Sequence, residues 1–100
     1  MKEIQKEIGT EKGYCGYRIT DENVEITNIF VEPKFRGQGE GKKMIQKVIK
    51  EAEGKACVYL FTRKSNLGAQ KFYEAVGFKK VCEIEGFYRS EPGIMYIKRL

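Results

Sequence analysis

The stretch Arg36-Gly37-Gln38-Gly39-Glu40-Gly41 has the residue types and spacing that seat an anion. It lies between a strand stopped by Pro33 and an amphipathic helix. The first turn of a helix exposes unpaired backbone N–H groups and the positive end of the helix dipole. Glycines remove the Cβ atoms that would hold a ligand away from those groups. The combination is a phosphate seat, and Lys34, Arg36, Lys42 and Lys43 add long-range attraction. The chain contains no histidine, which excludes Ser-His-Asp and Cys-His catalysis and the histidine-containing metal sites. Proton transfer falls to carboxylates, tyrosine, lysine, cysteine or water. Cys15, Cys57 and Cys82 are far apart and form no Cys-x-x-Cys pair. They read as reduced thiols in strands, and no metal is expected.

The elements that must position this loop are legible on both sides of it. Residues 1–8 alternate loosely and read as a strand, and Gly9 to Gly13 as a turn. Residues 14–20 and 24–32 read as two further strands, with turn chemistry at Asp21-Glu22-Asn23. Beyond the loop, Met44, Ile45, Val48, Ile49 and Ala52 recur at helical spacing, and Gly54 stands where a C′ glycine would end the helix. Residues 56–62 form a dense apolar strand suited to a sheet interior. Ser65 or Asn66 can cap a second helix, whose apolar positions Ala69, Phe72, Tyr73 and Val76 lead to a closing Gly77. Two last strands fit residues 78–85 and 94–99. Strand–helix–strand with short loops implies a parallel pair joined by a right-handed crossover, hence an α/β fold with a mixed sheet.

The 100 residues make one domain, 1–100, with 41% hydrophobic and 33% charged content typical of a globular protein. No apolar run is long enough to cross a bilayer, and a cytoplasmic address is expected. The net charge of +5 suits an anionic ligand, either a nucleic acid or a phosphorylated cofactor. The cations are spread along the whole chain, which makes nucleic acid the weaker of the two.

Two phosphate motifs fail, one at two positions and one at a single position. A Walker loop needs glycine at 36 and Ser or Thr at 43, where the chain has Arg36 and Lys43. A dinucleotide fingerprint needs glycine at 42, where Lys42 stands. The surviving pattern, Arg36-Gly37-x-Gly39 after Glu25-Ile26-x-x-Ile29-Phe30-Val31-x-Pro33, resembles motif A of the GNAT N-acetyltransferase superfamily. Ser65-Asn66-x-x-Ala69-x-x-Phe72-Tyr73 with Gly77-Phe78 resembles its motif B. The second half is most similar to ribosomal-protein alanine N-acetyltransferases, through Arg63-x-Ser65-Asn66, Phe72-Tyr73-Glu74 and Gly77-Phe78. That branch carries a catalytic glutamate at the position of Phe61, and the family's pair of N-terminal helices has no counterpart here.

The resemblance implies a mixed, mostly antiparallel sheet of about six strands with two main helices. It also implies direct attack of a primary amine on the thioester of acetyl-CoA. The amine must shed a proton, an oxyanion needs a donor, and the departing sulfur needs an acid. Carried over residue by residue, the oxyanion donor is a backbone N–H among Ile29, Phe30 and Val31. Tyr73 is the acid, and Glu25, acting through water, is the base. Arg36, Gly37, Gln38, Gly39, Glu40, Gly41 and Lys42 hold the pyrophosphate, while Asn66 and Ala69 lie along the pantetheine arm. Arg63 and Lys64 are within reach of the adenosine 3′-phosphate. Residues 86–93, with Phe87 and Tyr88, form the acceptor-side wall. Two alternatives stand beside the enzyme: a non-catalytic acyl-CoA-binding module, and a nucleic-acid binder. An open acceptor side also points to a homodimer.

Overall fold

A computed structural model describes residues 3–100. Strands β1 (Ile4–Thr10), β2 (Gly13–Ile19) and β3 (Asn23–Val31) form an antiparallel meander. A single 3₁₀ turn, Pro33–Phe35, leads through the glycines into helix α1 (Glu40–Glu51). Strand β4 (Cys57–Arg63), helix α2 (Leu67–Ala75), β5 (Lys79–Ile84) and β6 (Gly93–Arg99) follow. The sheet order is β1-β2-β3-β4-β6-β5, and β3–β4 is its parallel pair. The mixed, mostly antiparallel sheet with two helices is the architecture expected.

Three local expectations need correction. β1 runs on through Gly9 to Thr10, so the turn tightens to Glu11-Lys12. Backbone pairing of Gly9 with Tyr14 outweighs the turn propensity of glycine. Helix α1 ends at an Ala52 cap, so Gly54 is not its C′ residue; it lies in the following turn, at φ +91°. The glycine loop and the helix also overlap, because Glu40 and Gly41 already belong to α1.

Alternation sorts the central strands. Val24 and Ile26 of β3, Val58 and Leu60 of β4, and Ile94 and Tyr96 of β6 are buried in one cluster with Met44, Ile45 and Val48 of α1 and its cap residue Ala52. Cys15 and Tyr17 of β2, Tyr73 of α2 and Phe78 complete it. Each fully buried aliphatic side chain contributes about 1.5–3 kcal/mol. Helix α2 is fixed at both ends. The Asn66 side chain accepts the Ala69 N–H at 3.1 Å, which decides the N-cap between Ser65 and Asn66. At the other end Gly77, at φ +100°, lets its own N–H reach Glu74 O and the Phe78 N–H reach Tyr73 O. This is a Schellman closure, and it pins the backbone of Tyr73.

The feature that makes room for a site is a split in the sheet. β3 and β4 pair at Asn23–Cys57, Val24–Val58 and Glu25–Tyr59, and there the pairing stops although both strands continue. Just beyond, Thr27 is an extra residue in β3 between the Ile26–Tyr17 and Asn28–Gly16 pairs. Such a bulge bends its strand. The Asn28 side chain locks it by accepting the Gly16 N–H at 3.0 Å, and a Cβ at Gly16 would lie 2.2 Å from that oxygen.

Candidate active site

A cleft of about 760 Å³ opens where β3 leaves β4. Ile29, Phe30 and Val31 form one wall with the free edge of β3. Arg36, Gly37, Gly39, Glu40, Gly41 and Lys42 form the loop end. Asn66, Ala69 and Tyr73 of α2 close the opposite side. Of the cofactor residues read from the sequence, Gln38 alone stays out of the lining; its amide donates instead to Lys34 O at 3.4 Å.

The loop has the electronic character of an anion seat. Gly37 (φ +78°) and Gly39 (φ +84°) occupy the left-handed region that L side chains avoid. Among the described residues, the backbone N–H groups from Gly37 through Lys42 find no acceptor in the chain. The first α1 bond is Lys43 N–H to Gly39 O at 3.0 Å. Unpaired donors in succession at a helix start favour a ligand with several acceptor oxygens. Glu40 would seem to oppose an anion, but its carboxylate is drawn to Lys43 at 3.4 Å and Lys12 at 3.9 Å. Arg36 is partly spent on structure, since its Nε donates to Val31 O at 2.8 Å.

Close packing explains one further feature of the glycine loop. A Cβ at Gly41 would lie 3.0 Å from the Phe72 ring, so this glycine lets the start of α1 approach α2. Phe35, Gly68 and Phe72 line the cleft and were not read as site residues. Phe72 stood in the motif B resemblance and at helical spacing, and neither signal separates a cleft wall from a core residue.

Tyr73 is buried, and burial pushes its phenol up to about 12, with smaller contributions from Cys15 and Tyr88. It therefore stays protonated across the neutral range. Among the described residues its hydroxyl makes no hydrogen bond within the chain, which leaves it free for a ligand in the cleft. Glu25 does not line the cleft. It stands at the last β3–β4 pair, at the vertex of the split, with its carboxylate against the Arg18 guanidinium. Phe61, on β4, stacks on Phe87 at 4.6 Å.

A split mixed sheet, a glycine loop with bare N–H groups at the split and a buried phenol beside it define an α/β domain with a cleft suited to an extended anionic ligand. The chain belongs to the acetyltransferase (GNAT) family, whose sequence profile matches residues 6–78. It is 34% identical over 70 residues to a ribosomal-protein alanine N-acetyltransferase of Haemophilus ducreyi, covering 68% of this chain and 48% of that one. It is 37% identical over 68 residues to a thialysine N-epsilon-acetyltransferase of Bos taurus, covering 66% of this chain and 40% of that one. The chain thus spans less than half the length of these relatives. A GNAT family acetyltransferase of Elizabethkingia anophelis, solved with acetyl-CoA bound, shares the fold at a TM-score of 0.81 and 24% identity, over 88% of this chain and 68% of that one.

Proposed function

We propose that this domain binds acetyl-CoA and transfers its acetyl group directly to a primary amine. The observation that carries the reading is the run of unpaired N–H groups from Gly37 through Lys42, in a loop that, Gln38 apart, lines a cleft shared with a protonated phenol. The donors fit a pyrophosphate. The apolar walls of Phe72, Ala69 and Ile29 fit a pantetheine arm, and the Asn66 side chain caps α2 within reach of it.

The amine nitrogen attacks the thioester carbonyl carbon, and the oxyanion is stabilised by the Val31 N–H, which points to the free edge of β3 while that of Phe30 points toward β2. Collapse breaks the C–S bond, and Tyr73 gives its proton to the departing sulfur. The amine proton leaves through water toward Glu25. Glu25 sits at the vertex where the strands part, with its carboxylate paired to Arg18. No step calls for a metal. The two relatives named above differ in acceptor, an alanine in one and a thialysine side chain in the other, and both present primary amines.

Isothermal titration with acetyl-CoA tests the first step, and thiol release across a panel of α- and ε-amines tests the second. Absence of binding at hundreds of micromolar would remove the whole reading. A non-catalytic CoA-binding module is the second reading, favoured by Phe61, which stands where the alanine branch carries glutamate and is stacked on Phe87. Binding without thiol release, for every amine tried, would select it.

We further place the domain in the cytoplasm and propose that it pairs as a homodimer. Among the described residues, no helix is long and apolar enough to cross a membrane. The sheet face turned away from the helices carries half-buried Tyr59, Phe61, Met95 and Ile97, with exposed Phe87 beside them. A monomeric mass by light scattering at micromolar concentration would remove the dimer.

A further inference from the structure

The loop between β5 and β6 is tied to the rest of the molecule at several points. The Phe87 ring stacks on Phe61, and the Arg63 guanidinium lies 4.3 Å over the Tyr88 ring. The Lys64 N–H donates to Pro92 O at 3.1 Å. The strongest tie is Glu91. One carboxylate oxygen accepts the Ser65 N–H at 2.8 Å, the other accepts the Ser65 hydroxyl at 2.9 Å, and Arg63 stands 3.6 Å away.

This contact differs from an ordinary surface ion pair, which contributes little. Both carboxylate oxygens are engaged, one by a backbone donor whose direction the chain fixes. Ser65 immediately precedes Asn66, the α2 cap that lines the cleft. The Ser65 bonds draw the Glu91 carboxyl below its usual range. Elsewhere in the loop, Phe87 lies on Phe61, whose ring meets the Tyr59 ring edge-on at 5.9 Å, and Tyr59 is the β4 partner of Glu25 at the vertex of the split.

Resting on the acetyltransferase reading above, we propose that Glu91 is a positioning residue. Its carboxylate latches residues 86–93 to the start of α2 and so holds Phe87 on Phe61, beside Tyr59 and the Glu25 vertex, where the acceptor amine arrives. The latch acts on the acceptor and leaves the phosphate seat untouched, because residues 86–93 take no part in lining the cleft that Gly37, Gly39, Glu40, Gly41 and Lys42 line.

The experiment compares wild type with Glu91→Ala, Glu91→Gln and Ser65→Ala in two assays. The first is trypsin cleavage after Arg89, an exposed residue within the loop. The second is the split of amine KM, kcat and acetyl-CoA Kd. For Glu91→Ala, cleavage is expected to be about tenfold faster and amine KM about tenfold higher, with acetyl-CoA Kd within about twofold of wild type. Glu91→Gln keeps one well-placed acceptor and Ser65→Ala keeps the backbone bond, so both are expected to fall between. Wild-type cleavage rates in all three variants, or a loss confined to acetyl-CoA binding, would overturn the latch. Should Glu91→Ala not fold, the other two carry the same test. Faster cleavage in a protein that acetylates no amine would overturn the acceptor role while leaving the loop tie, which separates this failure from failure of the proposed function.

Discussion

At the scale of single residues, Tyr73 and Glu25 divide the proton traffic between a buried phenol and a paired carboxylate. Because burial holds the Tyr73 phenol up at about 12, it is fully protonated when the sulfur departs. Tyr73→Phe removes the proton while keeping the ring that packs against Phe72, Phe78 and Tyr96. Turnover is expected to fall roughly tenfold to a thousandfold with acetyl-CoA affinity nearly unchanged. Steady-state kinetics beside calorimetry check it, and unchanged turnover would end the acid assignment. Glu25→Gln should hurt an ε-amine acceptor, pKa about 10, more than an α-amine, pKa about 8, since more of the α-amine is already neutral. Equal effects on both acceptors would take the proton away from Glu25.

At the scale of elements, the start of α1 combines backbone conformation with packing. A Cβ at Gly39 meets nothing within 4 Å, so Gly39→Ala introduces strain without a clash. The cost is about 1–2 kcal/mol of stability, and acetyl-CoA affinity is expected to drop as the N–H groups turn. Gly41→Ala works differently, through the Phe72 ring 3.0 Å from the new methyl. Asn66→Ala loses the α2 cap at about 1 kcal/mol, read as a shift in urea midpoint with the slope unchanged. If Gly39→Ala binds acetyl-CoA as wild type does, the loop is no phosphate seat.

The whole molecule has an alkaline limit written into its core. Burial holds Tyr17, Tyr73 and Tyr96 up at about 12, and Glu51 and Glu74 accept the Tyr17 and Tyr96 hydroxyls at 2.7 Å. In the unfolded chain each titrates near pH 10. Between these values the folded state holds more protons than the unfolded state, so stability falls as pH rises. It is fully present below about pH 10 and is lost progressively toward pH 12. Urea unfolding across that window, with phenolate absorbance recorded in parallel, checks this. Tyr96→Phe should make the decline shallower, and a flat profile in wild type would contradict the burial.

Local signals wrote much of this into the chain. The glycines after Pro33, the period-two strands, the α1 and α2 spacing and the Gly77 closure depend on neighbours a few residues apart, and those were legible in order. The Gly9 and Gly54 readings failed because glycine permits several conformations, and pairing partners elsewhere chose among them. The sequence by itself determined which segments could be strand or helix and where an anion could sit. Only the tertiary structure decided that β3 parts from β4 at Glu25, that the Thr27 bulge is locked by Asn28, and that Glu91 reaches back to Ser65. Each of these is a contact between residues distant in the chain, and its geometry exists only once the sheet has closed around the core. The raised Tyr73 pKa belongs with them, because desolvation is a property of surroundings and not of the residue that titrates.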